Sequence, residues 1–326
     1  MNYNNDKMTM REVKKRNRYQ KKLRTLGNII WSLLRGFLII GISFIIIYPL
    51  IIKISTSFMN EADIYDLAVR WISRSPDFYN YRAAFIALDF SRALINSLLL
   101  CIIVGFLQLV SCTLVGYGLG RFKFKGDSIL FGLVILTLIV PPQIVMVPLF
   151  LNFRFFDLFG LLQQQINLLG SYWPFVFTAI TATGFNNGLF IYIMRQFFKG
   201  MPKELEEAAY VDGAGPFRTF FKVMLPGALP AMVIVFLFSF VWQWNDIFYT
   251  SMFLRGESFL SINLVNIEGR YRALHTSWFG GLEPTIQYTS LIANAGMVMF
   301  ILPLIILYIS MQKYFIESVQ RTGIVG

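Results

Sequence analysis

Charge is scarce in this chain of 326 residues: 14% are Asp, Glu, Lys or Arg, while 56% are hydrophobic and 17% aromatic. Soluble domains carry nearer to a quarter charged residues. The deficit argues against a soluble globular enzyme, and the apolar majority excludes disorder and collagen. Histidine is almost missing, with His275 the single copy. A metal site or His-based catalysis is not expected, and His275 reads as a solvated residue of an outer loop. The two cysteines, Cys101 and Cys112, are too few for a disulfide scaffold. They lie about three turns apart on one apolar helix, too far to bond, and read as small packing residues. No G-x-x-x-x-G-K-[ST] run occurs, so this chain is not expected to hydrolyse ATP or to bind a cofactor. Internal repeats and low-complexity tracts are also missing.

What is present is a set of long apolar runs. Six segments, 29–52, 94–115, 128–151, 168–194, 228–253 and 288–311, each reach the roughly 20 residues that cross a bilayer. Backbone polar groups in lipid must be satisfied within the segment, so helix is the state expected for each. Pro141, Pro142 and Pro148 in the third segment and Pro303 in the sixth predict kinks or broken turns. The first segment is about twice the length of a signal-peptide core, and no small-residue cleavage site follows Tyr48-Pro49-Leu50, so it reads as a retained span. Outer loop 53–93 has room for short helices and a lateral contact, not for a core of its own.

Basic residues set the orientation. Residues 1–28 hold nine Lys and Arg, and the segments on the same side bring the total to nineteen, or twenty with Arg35 in the first span, against nine on the other. Both ends are therefore expected in the cytoplasm, and the chain divides into a basic tail, 1–28, and a membrane domain, 29–326. The net charge of +11 is then a topology signal with anionic lipid as its partner. Nucleic acid is not, because the basic residues do not share one folded face.

The inner loop 195–227 is unlike the others. Pro202 sits where a first helical turn accepts proline, followed by Glu204, Glu206 and Glu207, which suit the helix dipole. Leu205, Ala208 and Ala209 make a small apolar stripe, and Gly213 supplies the left-handed residue that ends the helix. Pro216 opens a second short helix, with Phe217, Phe220, Phe221 and Met224 at helical spacing. The residues alone leave two readings open: an amphipathic loop resting on lipid, or a knob offering small residues and a carboxylate to a partner.

The spacing Glu207-Ala208-Ala209, then Gly213, then Val223-x-Leu225-Pro226 resembles the EAA loop of binding-protein-dependent ABC importer permeases, with Val223 where that pattern has isoleucine. The fuller text from Pro202 to Phe217 looks like the carbohydrate-uptake branch, of the maltose and multiple-sugar type. Asn96-Ser97, the 118–126 inner loop, Pro141-Pro142-Gln143, Trp244-Asn245-Asp246 and the end Thr322-Gly323-Ile324-Val325-Gly326 are collinear with the shorter permease of that branch. The likeness covers residues 30–326 and leaves the basic tail unmatched.

The resemblance implies an all-α, polytopic, type I ABC permease fold of six transmembrane helices with a cytoplasmic coupling helix. It implies a second homologous permease as heterodimer partner, two copies of a cytoplasmic ATPase that hold ATP and magnesium, and an extracytoplasmic sugar-binding protein. Glu207, Ala208, Ala209, Gly213, Leu225 and Pro226 would form the ATPase-coupling element. A short helix bracketed by Gly213 and Pro226 can move as a lever against its parent spans. Polar residues inside a span are candidates for a substrate path. Trp242, Gln243, Trp244, Asn245 and Asp246 combine the aromatic platforms and hydrogen-bonding groups that sugars need, although Asn245 and Asp246 could instead bond the neighbouring permease with the tryptophans as belt residues. Asn294 and Gln108 read as interhelical glue. Arg121 and Lys123 are expected to meet lipid or partner subunits. The alternatives are a permease for a non-sugar solute and a stand-alone secondary transporter, which would need repeats or a midplane run of charges.

Overall fold

The computed structural model describes residues 10–323 apart from 67, 70, 159 and 162. The first nine residues of the basic tail and the last three of the C-terminal motif lie outside the described residues. Among those described there are helices and turns, with one isolated bridge between Phe156 and Ile166 in place of any strand.

Helix α1 (Met10–Ser57) runs 48 residues. At 1.5 Å per residue it is about 70 Å long, over twice the hydrocarbon thickness of a bilayer. From Met10 onward the segment expected as a tail is thus the first part of the same helix. The apolar part of α1, Arg24–Ser57, buries none of its most apolar window within the chain. Its C-terminal end is tied down: Lys53 Nζ donates to Asn294 Oδ1 (2.8 Å) and Asn294 Nδ2 to Thr56 Oγ1 (2.9 Å). Asn294 is therefore interhelical glue, as its position suggested. Short helices α2 (Glu61–Tyr65) and α3 (Tyr79–Ala87) follow. Asn80 in α3 is fully buried and donates to the carbonyls of Ser57 and Met59 (3.0 and 2.8 Å).

Helix α4 (Phe90–Arg121) is the centre of the molecule and holds both cysteines, free and buried. The third apolar segment is two helices, α5 (Asp127–Ile139) and α6 (Pro142–Arg154), bent by 101°. Pro141 has no N–H to continue α5 and holds Val140 extended, so the expected kink becomes a full break. The fourth segment, expected as one helix over 168–194, is also two: α7 (Trp173–Ile180) and α8 (Asn187–Gly200). Between them lies Thr181-Ala182-Thr183-Gly184-Phe185-Asn186, where Ala182 and Asn186 take left-handed φ of 56° and 63°. Hydropathy alone does not see this break, but threonine, glycine and asparagine are weak helix formers.

Next come α9 (Glu204–Val211), α10 (Pro216–Thr219), a π-helical turn (Phe220–Met224), α11 (Leu225–Gly227) and α12 (Leu229–Asn245). The stretch Pro216–Gly227 meets α12 at 72°. Helix α12 stops at Asn245, so the fifth segment ends in a separate α13 (Phe248–Phe253). Short helices α14 (Leu260–Val265) and α15 (Ile267–Trp278) lead to α16 (Ile286–Gly323), which contains Pro303 without ending there. His275 is partly exposed but is not a loop residue. It lies in α15, with Nδ1 3.0 Å from the Leu282 carbonyl and its ring against Phe279.

Among the described residues three helices are long and apolar enough to cross a membrane, or up to five when each bent pair is one span. The segment that falls short of the expected six is 168–194, through its break at 181–186.

Candidate functional site

The 195–227 segment follows its punctuation at one end only: α9 (Glu204–Val211) is closed by Gly213, but Lys203 is its N-cap, so Pro202 lies just before the helix and not in its first turn. Helix α9 carries Glu204, Glu206 and Glu207 in its first turn. It closes with Gly213 N donating to Tyr210 O (3.0 Å) and Ala214 N to Ala209 O (2.9 Å), the two bonds of a Schellman cap. Gly213 has φ +76° and open space around it, so the constraint there is conformational and not steric. Ala209 faces the chain and is buried, while Glu207, Ala208, Tyr210 and Val211 face outward. The expected stripe beyond Pro216 splits in two. Phe220 and Met224 are buried, whereas Phe217 and Phe221 are exposed. Residues four apart align in a π turn, where bonds run i→i+5, so each pair has its own face. Leu225 is half-buried in α11 and Pro226 beside it is exposed.

Glu207 and its neighbour Glu206 have different surroundings. Glu207 is exposed and makes no ion pair among the described residues, whereas Glu206 is 16% exposed and pairs with Arg121, whose side chain is 5% exposed. Arg121 is thus not at a lipid or partner surface, contrary to its expected place. Its Nε and Nη2 both reach Glu206 Oε2, at 2.9 and 2.8 Å. Its Nη1 donates to the carbonyls of Phe198 and Met201 (3.2 and 3.0 Å), and Nη2 also to Pro202 O (3.4 Å). Tyr117 Oη donates to the other carboxylate oxygen of Glu206 at 3.1 Å. Lys123 is exposed. The available sequence signal for this cluster was the i, i+4 pair Tyr117 and Arg121 at the end of a span.

A cavity of about 730 Å³ opens among α4, α5, α6, α7, α8, α12 and α13. Of the five residues of the aromatic–polar stretch, Trp242, Gln243 and Asp246 line it; Trp244 and Asn245 do not. Trp244 is buried between Phe240 and Phe300. Asn245 Nδ2 turns back to Val241 O at 2.7 Å. Asp246 accepts from Thr250 N and Oγ1, both at 2.7 Å, and so caps the start of α13. Gln108 Nε2 donates to Phe185 O (3.2 Å) and Oε1 accepts from the Ser239 hydroxyl. It is interhelical glue that also forms wall. The sequence reading missed Asn187. This cavity-lining side chain is 1% exposed, and neither its oxygen nor its nitrogen has a hydrogen-bond partner among the described residues. Buried amides are normally satisfied, so an orphan at a cavity wall is a group waiting for a ligand or water.

Known proteins agree with this architecture. The arabinooligosaccharides transport system permease protein AraQ of Halalkalibacterium halodurans is 28% identical over 94% of this chain and 100% of its own. The probable ABC transporter permease protein YurM of Bacillus subtilis is also 28% identical, over 86% of this chain and 84% of its own. One chain of a bacterial ABC transporter involved in the import of the acidic polysaccharide alginate shares the fold, with a TM-score of 0.66 at 23% identity over 89% of this chain and 98% of that one. The model of the binding-protein-dependent transport system inner membrane components matches residues 113–321, from the middle of α4 to the last turns of α16. Membership removes the stand-alone secondary transporter from consideration: the chain belongs to the family of binding-protein-dependent transport system inner membrane components.

Proposed function

We propose that this chain is one of two permease subunits of an ATP-driven ABC importer that carries a sugar or oligosaccharide inward. The carrying observation is the outward face of α9. Glu207 and Ala208 stand exposed on a short helix locked by Gly213, while Glu206 beside them is held inside. An exposed carboxylate next to a small residue suits an arginine-bearing groove. In this reading α9 is the coupling helix, and the 203–226 loop meets a separate ATPase that binds ATP and magnesium. The EAA spacing and the arabinooligosaccharide relative support both the coupling role and the sugar substrate.

The assembly is a heterodimer with a homologous permease, two ATPase copies below and a sugar-binding protein outside. Both ends of this chain and the 195–227 loop lie in the cytoplasm, following the basic residues. Six crossings then require the α7–α8 pair to act as one interrupted span. Broken helices of this kind are tolerated in membranes where the freed backbone lines a cavity, as residues 183–186 do here. The cavity is this subunit's wall of the translocation path, with Trp242 as platform and Gln243 and Asn187 as hydrogen-bonding groups.

The test is reconstitution. The chain, its partner permease and the ATPase are placed in proteoliposomes with the binding protein and labelled neutral oligosaccharides. ATP-dependent accumulation of a glycan supports the reading. Accumulation of a non-sugar solute alone would refute the substrate class.

A further inference from the structure

Helix α9 has eight residues and one buried apolar side chain, Ala209. A helix of two turns is not stable alone, and one alanine gives it little hydrophobic anchorage. Its main fixture is Arg121. Every N–H of that guanidinium is engaged: Nε and one Nη2 hydrogen on Glu206, two Nη1 hydrogens on Phe198 and Met201, and the remaining Nη2 hydrogen on Pro202. Arg121 stands in the last turn of α4, and Phe198 belongs to the last turn of α8. One cation thus satisfies the terminal carbonyls of α8 and clamps α9 to the end of α4.

The two helices it joins do not slide freely. A Cβ on Gly116 of α4 would stand 2.5 Å from Met194 Cβ of α8, and one on Gly120 would stand 3.1 Å from Arg195 O. The same two helices carry cavity wall higher up, Gln108 on α4 and Asn187 on α8.

Resting on the reading of α9 as the coupling helix, we propose that Arg121 is the positioning residue of coupling. It fastens α9 to the close-packed α4–α8 pair, so that displacement of α9 by the ATPase reaches the cavity through Gln108 and Asn187. The coupling helix is then not a free lever hinged at Gly213 and Pro226. It travels with α4 and α8. Lysine cannot replace Arg121 here: its three donors sit on one atom, whereas the five donors of Arg121 span the carboxylate and three carbonyls.

The test uses the full transporter with its binding protein in proteoliposomes and reads sugar moved per ATP hydrolysed. This ratio does not change when a variant merely lowers the amount of folded complex. Arg121→Lys and Glu206→Gln are expected to keep the ATPase bound while the ratio falls about fivefold or more, the usual size of an intersite coupling. Tyr117→Phe removes one hydrogen bond and should give a smaller fall. If Arg121→Lys does not assemble, the Tyr117→Phe ratio decides. An unchanged ratio per assembled complex overturns the inference. Glu207→Ala is run in parallel. If it loses uptake while Arg121→Lys keeps its ratio, the coupling reading stands and the role of Arg121 falls. If Glu207→Ala keeps full uptake, both fall.

Discussion

Gly116 of α4 lies directly against Met194 of α8, so close that a methyl group on Gly116 would sit 2.5 Å from Met194 Cβ. Glycine is required there by space, and Gly120 repeats the approach one turn later, an interval of four that brings small residues to one helix face. Gly118, between them, meets nothing within 4 Å.

Gly116→Leu should therefore separate α4 from α8. Overpacking at such a site costs about 1–3 kcal/mol. Gly118→Ala should be tolerated and gain up to about 1 kcal/mol of helix propensity. Thermal stability of the purified complex in detergent checks both. Equal stability of the two variants would remove the close crossing.

Much of this was legible before any coordinates. Apolar runs located α1, α4 and α16 because those helices are continuous and long. The end of α9 was readable because glycine at a helix end acts through local backbone geometry; its start was not, since Lys203 and not Pro202 borders it. The break at 181–186 was not readable from hydropathy, which averages over Thr, Gly and Asn in an otherwise apolar window. The Arg121–Glu206 pair was hidden for another reason. It joins residues 85 positions apart, and a basic residue at the inner end of a span looks the same whether it meets lipid or a carboxylate. In the aromatic–polar stretch composition could not tell Trp242, on the cavity, from Trp244, in the core; a helical step of two residues turns one away from the other.

Asn187 offers a test in which stability and function move oppositely. Its buried amide has no partner among the described residues, and removing such a group relieves desolvation by about 1–3 kcal/mol. Asn187→Leu should leave the complex as stable as the native protein or more so. Sugar uptake should show a KM about two- to tenfold higher, the worth of one ordinary hydrogen bond. Loss of stability together with unchanged KM would remove Asn187 from the path.

The cavity also separates the neighbouring aromatic residues. Trp242→Ala should lower uptake with assembly intact, because Trp242 lines the cavity. Trp244→Ala should instead lower assembly, since it empties a site between Phe240 and Phe300 at a cost of about 3–5 kcal/mol. Asn245→Ala should change uptake little. Comparing uptake per assembled complex across the three distinguishes wall from core.

Orientation can be read by labelling. In intact cells a membrane-impermeant maleimide should reach Glu283→Cys in the exposed outer turn and not Lys125→Cys in the short inner loop. The reverse pattern would invert the topology drawn from the basic residues.

The coupling role proposed for α9 is that it transmits ATP hydrolysis to the membrane domain. Glu207→Ala removes the carboxylate proposed to pair with an ATPase arginine, a loss expected to cost about 2–5 kcal/mol if the partner charge is left buried. Gly213→Val forces a β-branched residue to φ +76°, a local cost of about 1–2 kcal/mol. Neither change touches the apolar segments, so both variants should insert normally. The decisive measurement is ATP hydrolysis stimulated by the loaded binding protein in proteoliposomes, recorded together with uptake. Loss of stimulation and uptake in both variants, with normal insertion, is the predicted result; full stimulation and full uptake in both would contradict it.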